Sequence, residues 1–354
     1  MTAKNVKKLL SISITVAIVL LYLLHFSTVI LAFQKEWYKY LLLAILGLVV
    51  TAVIASIVHE LGHVLCGLIL GFKVTEIKIL FLKITFAKKF KISLVKFNDF
   101  GETVLVPKNS KNYANKMLAC AYSGLAFSLF YVVFGMIIAT TTKSVEVLVV
   151  FGLSYHLSAY ILLINLFPIR EDSDGSLLFT MLFKEQKEKT VLKNALQLGA
   201  DILLGVEPKD VDSELLKTYR LPVDKFSARI LYYRYLAYFE KDDLAGHMQL
   251  NKITNIEELD DEEYIAIVKE KFFMAIVLGD DKFIKEYADE VMEYVGEYSS
   301  PSDYRIHATY RIYQGENEWA KLIVKDGLNN IDNFNEKGLV KLEKRILESL
   351  IIDG

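Results

Sequence analysis

Residues 41–72 form an apolar run whose only strongly polar members are His59, Glu60 and His63. A bilayer is crossed by about 20 apolar residues in a helix, so a run of this length reads as a membrane span. An ionisable group at bilayer depth costs about 2.5–3.5 kcal/mol on insertion scales, and one that persists there marks a functional site by default. Three such groups within one helical turn therefore need a chemical reason.

Segments 9–33, 117–142 and 147–169 are apolar over comparable lengths, and no such run recurs from Lys184 onward. The expected fold is mainly α. A polytopic helical membrane domain of about four spans occupies 1–183, with a small strand-containing insertion at 73–116, and an all-α soluble domain follows at 184–354. The net charge of −2 hides an asymmetry. Residues 1–183 hold 17 Lys+Arg against 9 Asp+Glu, or +8, and residues 184–354 hold 24 against 34, or −10. Lysines gather at the N-terminus (Lys4, Lys7, Lys8) and, ten of them, between Lys73 and Lys116, whereas the other connections carry only Lys35, Lys39 and Lys143. The positive-inside rule then puts both termini and the 73–116 connection in the cytoplasm. Run 9–33 exceeds a signal-peptide core and lacks a cleavage site, so it reads as a retained anchor. The Lys-, Ile- and Tyr-rich composition, without organelle signals, fits a bacterial plasma membrane. The partners expected are the lipid bilayer, a membrane protein or membrane peptide as substrate, and a protein on the C-terminal domain; no nucleic acid is expected.

Between Gly71 and Pro107, KVTEIKILFLKITF and FKISLVKF are β-branched, aromatic and partly alternating, as half-buried strands are. Turns are expected at 88–89 and 98–101. From Lys184 apolar residues recur at helical spacing, with breaks at 240–243, 278–281 and 314–317. That spacing suggests stacked helix pairs in the manner of tetratricopeptide repeats, or an ordinary helical domain. Cys66 and Cys120 lie in separate apolar segments and read as small buried hydrophobes, not as a disulfide framework or a cysteine zinc site.

His59-Glu60-Leu61-Gly62-His63 is H-E-x-x-H. Residues four apart share a helix face, so both imidazoles can reach one metal ion. Zinc suits such ligands and takes a third from the protein while keeping a position open for water. Zinc lowers the pKa of that water toward ~7, and a neighbouring carboxylate can move its proton to a leaving amine. The alternative is a buried hydrogen-bonded His/Glu cluster. A third ligand is on offer in NLFPIREDSDG, residues 165–175, where Pro168 breaks the helix after Asn165 and carboxylates follow at Glu171, Asp172 and Asp174. Spans two and four both run outside to inside, which puts His59, His63, Asn165 and Asp174 at one depth. His156 lies nine residues before Asn165, about 13 Å along a helix, and reads as a packing histidine. His25 reads as interfacial, and His247 and His307 suggest nothing.

HELGH inside a span, followed two spans later by N-x-x-P and D-G, resembles the site-2 protease family of intramembrane zinc metalloproteases over residues 40–180. The continuation HELGHVLCGLILGFKVTEIKI is similar to that family too. The resemblance implies one zinc per chain on His59, His63 and the aspartate before Gly175, Glu60 as catalytic base, a role for Asn165 near the site, and hydrolysis of peptide bonds in the membrane. The family's motif usually runs eight positions from Asn to Asp with a leucine before the Asp; here Asn165 to Asp174 is nine, and Ser173 stands there. Asp172 thus competes with Asp174, which is favoured by the glycine after it. In 121–128, Gly124 is present and the proline common to the family is absent. The other functional class open to this chain is a non-catalytic scaffold, immunity or accessory protein acting through its C-terminal domain. Against that class stands Glu60, which a scaffold does not need.

Overall fold

The computed structural model describes residues 3–32, 37–86, 90–96, 100–148, 151, 155–167, 173–217, 224–239, 243–253, 256, 259 and 261–352. The fold is mainly helical with one small antiparallel sheet. Contacts divide it into two units: Met1–Lys108 with Asn115–Lys184, and Asn109–Ala114 with Glu185–Gly354.

The first unit contains α1 (Ala3–Ala32), α2 (Trp37–Ile69), strands β1 (Phe72–Ile79), β2 (Leu82–Thr85), β3 (Lys91–Leu94) and β4 (Gly101–Pro107), then α3 (Tyr113–Thr141), a single turn α4 (Val145–Val147), α5 (Tyr155–Leu166) and α6 (Asp174–Phe183). Among the described residues two helices are long and apolar enough to cross a membrane, Leu41–Ile69 and Tyr113–Thr141. Only 28% of the most apolar window of each is buried, so Leu42, Ile69 and Phe130 turn large apolar side chains outward. The apolar stretches Leu9–Leu24, within the 30-residue α1, and Tyr155–Leu166 are shorter among the described residues. Of the four expected spans, two are supported by length and composition among the described residues.

Helix α2 stops where Gly71 takes φ +84, the left-handed cap that glycine adopts without a Cβ penalty. Phe72 opens β1 at once, so the sheet starts at the end of the helix that carries the H-E-x-x-H residues. Strand order is β3-β2-β1-β4, with Phe72 opposite Pro107 and Ile79 opposite Gly101. Burial falls from β1 to the outer strand β3, where Leu94 is 83% exposed. The expected strand texture is present, but KVTEIKILFLKITF is a hairpin and not one strand, turning at Leu80–Phe81 with Leu80 at φ 55. Lys88 and Lys89 lie outside the described residues.

The second unit is all helical: α7 (Gln186–Leu203), α8 (Lys225–Phe239), α9 (Asp243–Leu250), α10 (Asp261–Leu278), α11 (Asp281–Gly296), α12 (Pro301–Tyr313), α13 (Asn317–Asn330) and α14 (Lys337–Ile352). Helices α8, α10, α12 and α14 begin at Lys225, Asp261, Pro301 and Lys337, that is 36, 40 and 36 residues apart. Neighbours α8 and α9, α10 and α11, and α12 and α13 pack together. The expected breaks at 278–281 and 314–317 are turns on Gly279 (φ +71) and Gly315 (φ +79). Most of 240–243 lies outside the described residues. Helix α14 packs on α12 and α13 and also back on α7, where Lys341 Nζ donates to Gly205 O at 2.7 Å and Arg345 pairs with Glu207 at 2.5 Å.

Helices α8, α10, α12 and α14 each contribute one residue to a buried polar cluster. Arg305 on α12 is fully buried. Its Nη2 donates to Glu270 Oε1 at 2.8 Å and its Nε to Glu343 Oε2 at 2.8 Å, while Tyr235 Oη donates to Glu270 Oε2 at 2.8 Å. The guanidinium carbon lies 4.1 Å from the centroid of the Phe273 ring. Removing one partner of a buried charge network leaves the others uncompensated, at about 3–5 kcal/mol. Arg305→Ala is accordingly expected to destabilise the second unit by about 3–5 kcal/mol, read by denaturant unfolding followed by circular dichroism; a loss under 1 kcal/mol would show that the cluster contributes little.

His307 accepts from Arg311 Nε at its own Nε2 (3.3 Å), so its proton sits on Nδ1, which faces Tyr298 Oη at 2.8 Å. Burial first, and the charge of Arg311 second, hold its pKa below the ordinary imidazole value. Below pH ~6.5 the unfolded chain therefore takes up a proton that the folded chain refuses. The stabilisation from keeping His307 neutral is complete above that pH and is lost as pH falls toward the folded pKa. His307→Gln is expected to flatten the fall in unfolding midpoint between pH 7 and pH 5.5; an unchanged slope would assign it to other groups.

Candidate metal centre

His59 and His63 lie one turn apart on α2 with their rings edge to face, centroids 4.8 Å apart. Asp174 opens α6, far along the chain. The structure brings the three together. His59 Nε2 and His63 Nε2 are 3.2 Å apart, and Asp174 Oδ2 lies 3.3 Å from the first and 3.2 Å from the second. Metal–ligand bonds of about 2.0–2.1 Å put tetrahedral ligand atoms about 3.3 Å apart, so this triangle is one face of such a site.

Proton placement separates a ligand set from a hydrogen-bonded cluster. His63 Nδ1 lies 3.0 Å from Cys120 O. A carbonyl only accepts, so Nδ1 carries the hydrogen and neutral His63 presents a bare lone pair at Nε2. His59 Nδ1 lies 2.8 Å from Ser128 Oγ and can donate there, leaving its Nε2 bare as well. Metal-binding histidines are held in this tautomer by their outer nitrogen. Asp174 Oδ2 is buried and has no aligned hydrogen-bond donor, although two ring nitrogens stand within 3.3 Å of it. With both ring protons on Nδ1, three lone-pair atoms face one another. A buried unsatisfied group costs about 1–3 kcal/mol, and a divalent cation on N and O ligands would relieve all three.

Glu60 belongs to the same cluster, with ligand atoms of His59, Glu60 and His63 within 4.8 Å of one another. It is 3% exposed. Its carboxylate points at β4, where Thr103 Oγ1 donates to Oε2 at 2.6 Å, and a Cβ at Gly101 would collide with Oε1. The sheet therefore fixes the carboxylate through one oxygen and, by lacking a side chain at 101, leaves room for the other.

Glycines decide how closely the pieces approach. A Cβ on Gly124 of α3 would lie 2.5 Å from His63 Nε2, and one on Gly62 would lie 2.6 Å from Ser123 O. Both helices must be bare there for the His63 ring to sit against α3. Gly175 is buried against the end of α5, where a Cβ would meet the carbonyls of Asn165 and Leu166. Ser173 caps α6 by accepting from Ser176 N at 3.2 Å, which sets the direction of Asp174. The serine that departs from the family pattern thus has a local task.

Asn165 lies half-buried in the last turn of α5, with its carbonyl beside Gly175. Asp172, the competing ligand, lies outside the described residues, as does Pro168. His156 is buried and stacks on Tyr155 at 4.1 Å with an edge contact to Tyr22 at 5.9 Å, apart from the cluster. The side chains of His25 and His247 lie outside the described residues. Sequence reasoning did not pick out Thr103, Ser128 or the Cys120 carbonyl. Ser128 carried a signal, as a hydroxyl in an otherwise apolar stretch of α3; Thr103 carried none beyond its place in a strand.

No family model, curated protein or solved structure matches this chain.

Purified protein is expected to hold about one divalent ion per chain. His59→Ala, His63→Ala and Asp174→Ala should each lose it, and Asp172→Ala should keep it. Gly124→Ala should weaken affinity by about 10–100-fold, the range for disturbing a ligand's support. Metal analysis by mass spectrometry decides, and retention in Asp174→Ala would remove that residue from the site.

Proposed function

We propose that this chain is an intramembrane zinc endopeptidase of the site-2 protease kind, in a bacterial plasma membrane with several spans and both termini in the cytoplasm. The observation that carries the reading is the triangle of His59 Nε2, His63 Nε2 and Asp174 Oδ2 at 3.2–3.3 Å with Glu60 beside it. These three residues would hold the zinc ion, whose chemistry is to polarise a peptide carbonyl and acidify a water. Glu60 would take the proton of the attacking water and hand it to the leaving amine. Thr103 would hold one oxygen of Glu60 so that the other faces the reaction, and Asn165 would add a polar group at the depth of the site.

A peptide bond in a spanning helix is hidden because its polar groups are bonded internally, so the substrate has to unwind. Strand β4 lies at one edge of the sheet, and its Gly101–Thr103 stretch adjoins Glu60. An unwound peptide laid along β4 as an added strand would reach the ligands. The outward apolar faces of α2 and α3 and the lysines of the 73–116 segment support a membrane location. The paired helices of the second unit, repeating at 36–40 residues, support a tetratricopeptide-like arrangement offering its outer surface to a protein partner.

The test is cleavage of a single-span reporter in proteoliposomes. Glu60→Gln should keep its metal and lose at least about 10²-fold in rate, the lower range for removing a general base. Thr103→Val should lose about tenfold, as outer-shell changes do, with kcat falling more than KM changes. Chelation should stop cleavage and zinc restore it. Equal rates for wild type and Glu60→Gln would overturn the proposal.

A further inference from the structure

Cys66 and Cys120 are the only cysteines of the chain. They sit 54 positions apart in sequence, yet the fold brings them side by side. Helices α2 and α3 run antiparallel where they touch, because His59 meets Ser128, Gly62 meets Ser123 and Gly124, and His63 meets Cys120. The tightest point is Gly62, where an added Cβ would lie 3.0 Å from Gly124 Cα. Cys66 is one turn beyond Gly62 on α2, and Cys120 is one turn before Gly124 on α3. They are therefore facing positions one turn from the closest approach of the two helices. Both are unpaired; Cys120 is buried and Cys66 is partly open. A disulfide needs Cα atoms about 4.4–6.8 Å apart and Cβ atoms about 3.5–4.5 Å apart, a requirement that facing positions next to a backbone contact between two helices are placed to meet.

We propose that Cys66 and Cys120 form a redox-sensitive dithiol whose oxidation to a disulfide ties α2 to α3 beside His63. A peroxide is the oxidant. The partly open Cys66 thiol is oxidised to sulfenic acid as the peroxide is reduced and water leaves. The Cys120 sulfur then displaces hydroxide from that sulfenic sulfur, losing its own proton, so a second water leaves and the S–S bond forms. A thiol reductant reverses the change by exchange. The bridge would fasten the segment of α3 whose Cys120 carbonyl holds His63 Nδ1, so the oxidation state sets how freely the two ligand-bearing and ligand-supporting helices can part. The proposal does not depend on proteolytic activity or on bound metal.

The experiment treats full-length protein in detergent with hydrogen peroxide, denatures it, alkylates free thiols and weighs the intact chain. Wild type is expected to go from two alkylatable thiols to none, with the monomer lighter by two hydrogens, and to regain both after dithiothreitol. Cys66→Ser and Cys120→Ser should each form no intramolecular bridge. Two thiols that stay alkylatable, a bridge found only between chains, or sulfinic acid at Cys66 with Cys120 untouched would each overturn the proposal. The decisive arm uses the wild-type chain, so a poorly folded variant cannot obscure the result.

Discussion

The near-contact of α2 and α3 is the constraint on which the first unit rests. Packed helices ordinarily stand 8–10 Å apart, held off by their side chains. Gly62 and Gly124 remove those spacers at one level, and several consequences follow from that single omission. The His63 ring lies against bare backbone, its Nδ1 reaches the carbonyl of Cys120, and His59 one turn earlier reaches Ser128. Ser123 closes the seam with its one hydroxyl hydrogen shared between Gly62 O and Cys120 O, at 2.8 and 2.7 Å. At a normal separation neither imidazole would find these partners. Their tautomers, and with them the direction of their lone pairs, would be unset.

The remaining parts of the site are delivered by short connections that leave little freedom. Gly71 ends α2 and starts β1 within two residues, so the four-stranded sheet lies along the helix that bears Glu60, and Leu105 of β4 fills the space left at Gly67. Gly175 lets α6 begin against the final carbonyls of α5, and the Ser173 cap points Asp174 inward. Helix, strand and helix start therefore meet at one point from three directions. The gathering of lone-pair atoms there is intelligible as a cradle for a cation, which would offset the burial of Asp174 Oδ2.

Much of this was legible in residues 59–63, since two histidines four apart on a helix have no choice but to share a face, and a carboxylate among them in an apolar run demands an explanation. The pairing with Asp174 was legible through Gly175, whose bareness is what allows the helix start to come so close. Ser173 looked like a departure from pattern and acts as a cap, a role that depends on where α6 begins and so could not be read from spacing. The turn at Leu80–Phe81 escaped because neither residue is a usual turn former; it is pairing of β1 with β2 that holds Leu80 at positive φ. Thr103 was invisible for another reason. A threonine in a strand is ordinary, and only the tertiary contact with Glu60 gives it meaning. Asn165, singled out by resemblance, meets the fold through its backbone carbonyl beside Gly175.

In the second unit the return of α14 onto α7 changes what kind of object the helix stack is. An open array of helix pairs gains or loses members at its ends with little penalty, because each repeat touches only its neighbours. Here the last helix is fastened to the first by Lys341 on Gly205 and Arg345 on Glu207, and four helices share the charges around Arg305. Inserting or deleting a pair would break the fastening and strand the charges together. The set of helices between α7 and α14 is therefore fixed in the way a barrel's strand number is, and change there is channelled to the outward surface and not to length.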